Sequence, residues 1–261
     1  MNPVVSVSDF YFKYLRSDLV LKNVNLEIEK GSFTVIIGPS GAGKTTLCKA
    51  ITGIIPFYSG GDYAGEIKVL GETTQGKKVS DLAMKVGLML EDYESQLVSL
   101  TAGEEVAFSL LNHGFPPEEA EERTRLALED VGLPGRESYQ LDEPVSAMDP
   151  DGGESLYKLL DKIHKEHGTT FIVVEHRLEF VLPYMTDLIA VKNGEIAAQG
   201  RCEDVASQIY EDEELRPLLP DLWQVKCNLE KKTMQQFSLW RSADEAVKEL
   251  QSKGFGRGVR A

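Results

Sequence analysis

The sequence predicts an α/β fold built on a mostly parallel sheet. Three observations carry this. Short apolar runs rich in β-branched residues, at Phe33–Ile37, Ile67–Leu70, Val86–Leu90, Phe171–Val174 and Leu188–Val191, alternate with helix-like stretches at Lys44–Thr52, Ser80–Lys85, Glu118–Val131 and Glu154–His167. Val24, Leu26 and Ile28 alternate with Asn23, Asn25 and Glu27, the period-two pattern of a strand with one wet face, so the N-terminal part is expected as a flanking antiparallel β layer. Finally, the run Phe33–Ile37 opens directly into a glycine-rich loop and then a helix-forming stretch.

A chain of 261 residues, 42% of them hydrophobic, is long enough to bury a sizeable core. Acidic residues number 42 against 28 basic, and a net charge of -14 repels a phosphate backbone, which excludes nucleic acid as the main partner. Cys48, Cys202 and Cys227 are odd in number and far apart, so neither a disulfide framework nor a paired metal spacing is expected; they suit a reducing cytosol. The start MNPVVSVSDF has no basic and apolar leader, and no apolar run approaches the ~20 residues that span a bilayer, so any membrane link is expected to run through a partner.

The loop itself is GPSGAGKTT, residues 38–46, and it matches G-x-x-x-x-G-K-[ST] in the strand-loop-helix setting that this pattern needs. Gly38, Gly41 and Gly43 let the backbone curl so that its N–H groups converge on one anion at the positive end of the next helix. Gly38, Pro39, Ser40, Gly41, Ala42, Gly43, Lys44, Thr45 and Thr46 would line this phosphate cradle, with Lys44 reaching the terminal phosphates and the Thr45 hydroxyl holding Mg²⁺. A loop that merely turned the chain would need no lysine. Cys48, on the following helix, is expected to pack in the core.

Around this loop the chain resembles the ATPase subunits of ABC transporters, and most of all those of the energy-coupling-factor and cobalt-importer type, over residues 5–200. VGLMLEDYESQLVSLTAGEEVAF, residues 86–108, resembles the Q-loop segment, with Gln96-Leu97 facing a membrane partner. LDEPVSAMDP resembles Walker B and the D-loop, and FIVVEHRLE, residues 171–179, resembles the H-loop. The resemblance implies a P-loop NTPase core over residues 1–200, with a β-rich subdomain at about 1–30 and 61–75, a helical subdomain at about 91–135, and an appendage at 201–261. It also implies roles: Asp142 would hold Mg²⁺ through water, Glu143 would polarise the attacking water, His176 would meet the γ-phosphate, and Asp149 would reach across a dimer interface. Tyr14 matches the aromatic that stacks on adenine; as a lone aromatic it reads first as core, and only its register to the P-loop favours the stacking role. No N-K-x-D stands anywhere to read guanine.

Two departures bear on activity. Glu91 replaces the Q-loop glutamine; it can still ligate Mg²⁺, with an added negative charge. The signature resembling L-S-G-G-Q is absent, as are the helix after it and the strand before Asp142: between Pro134 and Asp142 only Leu141 is aliphatic. A missing central strand removes about five buried aliphatic side chains at ~1.5–3 kcal/mol each, which rivals the net ~5–15 kcal/mol of a whole domain. The helical subdomain is thus expected to be truncated, and a complete protein to carry roughly two dozen further residues between Gly132 and Leu141.

The expected function is an ATP-binding and hydrolysing subunit, using ATP and Mg²⁺, that powers a membrane importer for a small solute such as a vitamin or transition-metal ion. It would pair with a second such subunit, like or unlike, and with integral membrane subunits, and sit at the inner face of the cell membrane. The alternative is a hydrolysis-deficient nucleotide sensor, favoured by Glu91 and the missing signature. A soluble relative acting on DNA or ribosomes is disfavoured by the charge. His164 and His167 are expected on a solvated helix end, the run Glu211–Glu214 as a solvated turn, Trp223 and Trp240 as packing within the appendage, and Ser242-x-x-Glu245 as a capping box.

Overall fold

The computed structural model describes residues 3–89, 96–139, 150–176 and 178–255, with backbone alone at 150–154. The chain forms two compact units, Met1–Leu82 with Leu160–Ala261, and Ala83–Leu159.

The first unit holds two four-stranded sheets. In one, β1 (Val5–Lys13) pairs antiparallel with β2 (Leu19–Ile28) and β4 (Asp62–Val69), and β5 (Glu72–Thr73) closes the edge. The alternation in β2 behaves as the sequence requires: Val24, Leu26 and Ile28 are buried and Asn23, Asn25 and Glu27 exposed. In the other sheet β3 (Phe33–Ile37) lies between β6 (Phe171–Val174) and β7 (Asp187–Lys192), parallel to both. All five residues of β3 are buried, as befits a strand covered on both faces. β8 (Glu195–Arg201) then returns antiparallel to β7. Its turn is Asn193-Gly194, both at positive φ, the dipeptide whose twist suits a two-residue hairpin. That signal stands in the sequence and would have located β8 in advance.

The run Val86–Leu90 does not become a strand. Residues 86–89 have no regular structure, and Leu90 lies outside the described residues. A strand exists only by its ladder, and Gly87 further weakens this run. A related gap shows at β6. Its four residues are all apolar yet only half-buried, and among the described residues no strand pairs with its outer side. Such a composition belongs to the middle of a sheet and not to its edge.

Four helices follow the strand-and-loop order as expected: α1 (Lys44–Ile51), α2 (Val79–Ala83), α4 (Pro117–Asp130) and α5 (Pro150–His167). One more precedes α4. α3 (Ala102–Asn112) is opened by Thr101, whose hydroxyl accepts from Glu104 N while the Glu104 carboxylate accepts from Thr101 N. This T-x-x-E box was legible in the sequence. Within the second unit α4 buries Ala120, Thr124 and Leu128, one stripe at intervals of a turn. His164 departs from the expected solvated face: its ring meets Phe33 edge-on at 6.0 Å and its Nδ1 lies 2.8 Å from Thr169 O, because the last turn of α5 ends against β3.

Residues beyond β8 form α6 (Cys202–Ile209), α7 (Asp221–Thr233) and α8 (Ala243–Ser252). Trp223 and Trp240 are fully buried, as expected, and Trp223 Nε1 donates to Trp240 O at 2.8 Å. The Ser242 hydroxyl accepts from Glu245 N at 3.3 Å, but the Glu245 carboxylate accepts from Arg241 N rather than Ser242 N, so the box is only half closed. In the acidic run Asp212 is tied to Lys192 at 2.8 Å and so is more than a solvated turn.

Glu249 holds this end together. Its carboxylate accepts from the Ser238 hydroxyl, Trp240 Nε1 and Ser238 N, and these bonds, that of Ser238 foremost, hold its carboxyl at about 2, well below its ordinary value. A depressed carboxyl stabilises the fold above its ordinary value and loses that contribution as pH falls toward 2. Glu249→Gln should therefore weaken the protein at neutral pH and flatten the slope of stability between pH 4.5 and 2, followed by tryptophan emission during denaturant unfolding. Trp223→Ala, which empties a fully buried indole site, should cost ~3–5 kcal/mol in the same measurement.

Candidate functional site

The site grows from the carboxyl ends of β3 and β6, where ligands bind in sheets of this kind. As β3 ends, Gly38, Gly41 and Gly43 take φ of 157°, 78° and 104° and curl the chain into a loop. Gly38 permits the closest approach: a Cβ there would stand 2.1 Å from Val191 O on β7. Gly194 of the hairpin turn donates its N–H to Ala42 O at 3.1 Å, so the loop rests on β7 and its turn.

Gly43 then caps α1, whose first turn carries no acidic residue, and its positive end is left to face an anion. Lys44 is buried; its Nζ donates to Gly38 O at 2.7 Å and to Pro39 O at 2.9 Å, folding the ammonium back over the loop. Ser40, Gly41 and Thr45 are exposed at the mouth, while Ala42 and Thr46 are buried beneath it. Cys48 is half-buried, and burial pushes its thiol up to about 11, which suits packing and not nucleophilic chemistry.

Tyr14 comes to this loop from the end of β1. Its hydroxyl lies 3.2 Å from Thr46 Oγ1, and its ring meets Phe12 edge-on at 4.8 Å. The ring is half-buried, so it is neither sealed in the core nor loose in solvent. His176 arrives by the sheet. Val174 is in register with Ile36, Glu175 N donates to Ile36 O at 3.4 Å, and the exposed His176 therefore follows β6 just as Gly38 follows β3.

The structure thus brings together Tyr14, Gly38–Thr46 and His176. Glu91, Asp142, Glu143 and Asp149 lie outside the described residues. Of the three residues expected to hold a metal, Thr45 alone is described, and its exposed hydroxyl at the first turn of α1, with an anion-facing helix end beside it, fits that use. In the second unit Gln96 Nε2 donates to Leu88 O at 3.2 Å and Leu97 is exposed. Val191 and Gly194, which support the loop, were missed, and only the Asn193-Gly194 dipeptide hinted at them.

A family model described as ABC transporter matches residues 21–149. An ABC transporter ATP-binding protein of Pyrococcus horikoshii is 34% identical over 274 residues, covering 95% of this chain and 96% of its own length. That alignment is longer than the 261 residues of this chain, so it includes positions with no counterpart here. Another, from Methanosarcina acetivorans, is 32% identical over 244 residues that cover 83% of this chain; the chain spans 39% of its length. Among solved structures, cbiO1 from Clostridium perfringens, part of the ABC transporter complex cbiONQ, superposes with a TM-score of 0.68 at 22% identity, over 90% of this chain and 97% of that one. The fold is that of an ABC ATPase, and the chain belongs to the ABC transporter ATP-binding proteins, the ATP-hydrolysing cassettes.

Proposed function

We propose that the chain powers a membrane importer for a small solute such as a vitamin or a transition-metal ion. The observation that carries this reading is the placement of the Lys44 cradle and His176 at the carboxyl ends of two adjoining parallel strands, β3 and β6. Import is supported by the likeness to cbiO1 and by the Gln96-Leu97 segment that resembles a membrane-facing Q-loop. The chain's place is at the inner face of the membrane, held by partner subunits; among the described residues no helix is long and apolar enough to cross a membrane. A second cassette completes the assembly, with Asp149 reaching toward it.

A triphosphate entering the cradle offers Lys44 phosphate oxygens in place of the Gly38 and Pro39 carbonyls, at the positive end of α1. Tyr14 presents an aromatic face beside the loop for the base, tethered through its hydroxyl to Thr46. His176 donates to the terminal phosphate, and Glu143 takes the proton of the attacking water. Magnesium, when bound, supplies charge neutralisation between the phosphates; Thr45, Asp142 and Glu91 would hold it.

A second reading is a cassette that binds nucleotide without turning it over. It is favoured by the outer side of β6, which no described strand covers, and by the longer alignment with the Pyrococcus horikoshii protein. Steady-state ATPase activity with the membrane subunits separates the two. Glu143→Gln and His176→Ala should each lower kcat by ~10²-fold or more while leaving nucleotide affinity intact, the range expected of general-base loss. Wild-type turnover no faster than that of Glu143→Gln would replace the motor by the sensor.

The cradle is tested separately. Lys44→Ala should weaken binding of a fluorescent ATP analogue at least tenfold, about 1.4 kcal/mol. Gly38→Ala, which drives a methyl into Val191 O, should lower the melting temperature as well as affinity.

A further inference from the structure

We propose that Arg241 clamps the turn behind His176, which makes the C-terminal helices a positioning device for that histidine. From Leu178 to the start of β7 at Asp187 the chain makes a compact turn, with Leu178, Val181, Leu182 and Met185 buried. Leu182 N and Met185 N bond back to Leu178 O and Val181 O at 2.8 and 3.1 Å, which leaves the Leu182 and Met185 carbonyls at the far end of the turn. One nitrogen of Arg241, Nη1, donates to both, at 2.9 and 3.0 Å. A charged donor on two carbonyls is a strong hydrogen-bonding arrangement, and a guanidinium nitrogen has the two hydrogens it requires.

Arg241 is itself held in place. Its N–H donates to Glu245 Oε2 at 2.8 Å, the neighbouring Trp240 is fully buried, and Trp240 is pinned by Trp223 through its carbonyl and by Glu249 through its indole. Two of the polar ties on the segment carrying His176 reach it from different parts of the chain. One is the β3–β6 ladder, ending at Glu175 N on Ile36 O; the other is the guanidinium, supplied from 56 residues beyond Met185. With the guanidinium gone, the two carbonyls at the far end of the turn lose their charged partner and the aim of the ring loosens. Arg241 acts through the Leu182 and Met185 carbonyls, so it is a positioning residue. The proposal rests on the reading that His176 meets the terminal phosphate.

The test compares the wild type with Arg241→Ala and Arg241→Lys, each assembled with its membrane subunits, by steady-state kinetics. The free full-length chains are compared by the ring C–H resonances of their histidines. Arg241→Ala should lower kcat about tenfold with KM for ATP unchanged, because the Lys44 cradle is untouched. The His176 resonance should shift or broaden while those of His113 and His167 stay in place, and Arg241→Lys should fall between the two. In a His176→Ala background, Arg241→Ala should cost nothing more, the coupling expected of residues acting through one element. An unmoved His176 resonance in Arg241→Ala, or an equal loss of kcat in both backgrounds, overturns the clamp. Full turnover by His176→Ala overturns instead the role of His176, and leaves the resonance to decide the clamp. If Arg241→Ala does not fold, Arg241→Lys decides by the same resonance.

Discussion

The parallel pairing of β3 with β6 on one side and β7 on the other is the constraint from which the site follows. Five buried residues leave β3 no freedom of register, and so the point where the phosphate loop begins is set. β7 then offers the carbonyl of Val191 against which only a glycine at 38 can lie. β6 delivers His176 at the same level of the sheet. A loop of this sequence without those neighbours would still curl, but it would have nothing to curl against and no second group at its mouth.

The cradle has an electrostatic logic. A buried ammonium needs partners, and Lys44 takes the carbonyls of its own loop. The overall charge of -14 works against the approach of a triphosphate, and Lys44 and the positive end of α1 act against that repulsion.

Among the described residues β6 stands at the edge of its sheet. Phe171, Ile172, Val173 and Val174 compose a strand meant for the middle of a sheet, yet each is half-exposed. The sequence offers no aliphatic run before Asp142, and residues 140–149 lie outside the described residues.

Much of the local structure was legible. FTVII and FIVV were recognised with their final bounds because a run of apolar, largely β-branched residues has few other uses, and GPSGAGKTT because glycine, lysine and threonine at those positions encode a backbone path and a charge. The helix caps at Thr101 and Ser242 were written in the chain as well, since capping joins residues three apart. What the sequence could not decide was which distant groups meet. Tyr14 reaches Thr46 across 32 residues, Gly38 lies against Val191, His164 turns inward onto Phe33, and Arg241 caps a turn 56 residues before it. Such contacts depend on sheet register and on how helices fill the space left beside it. Periodicity along the chain carries no information about either, and only the folded protein settles them.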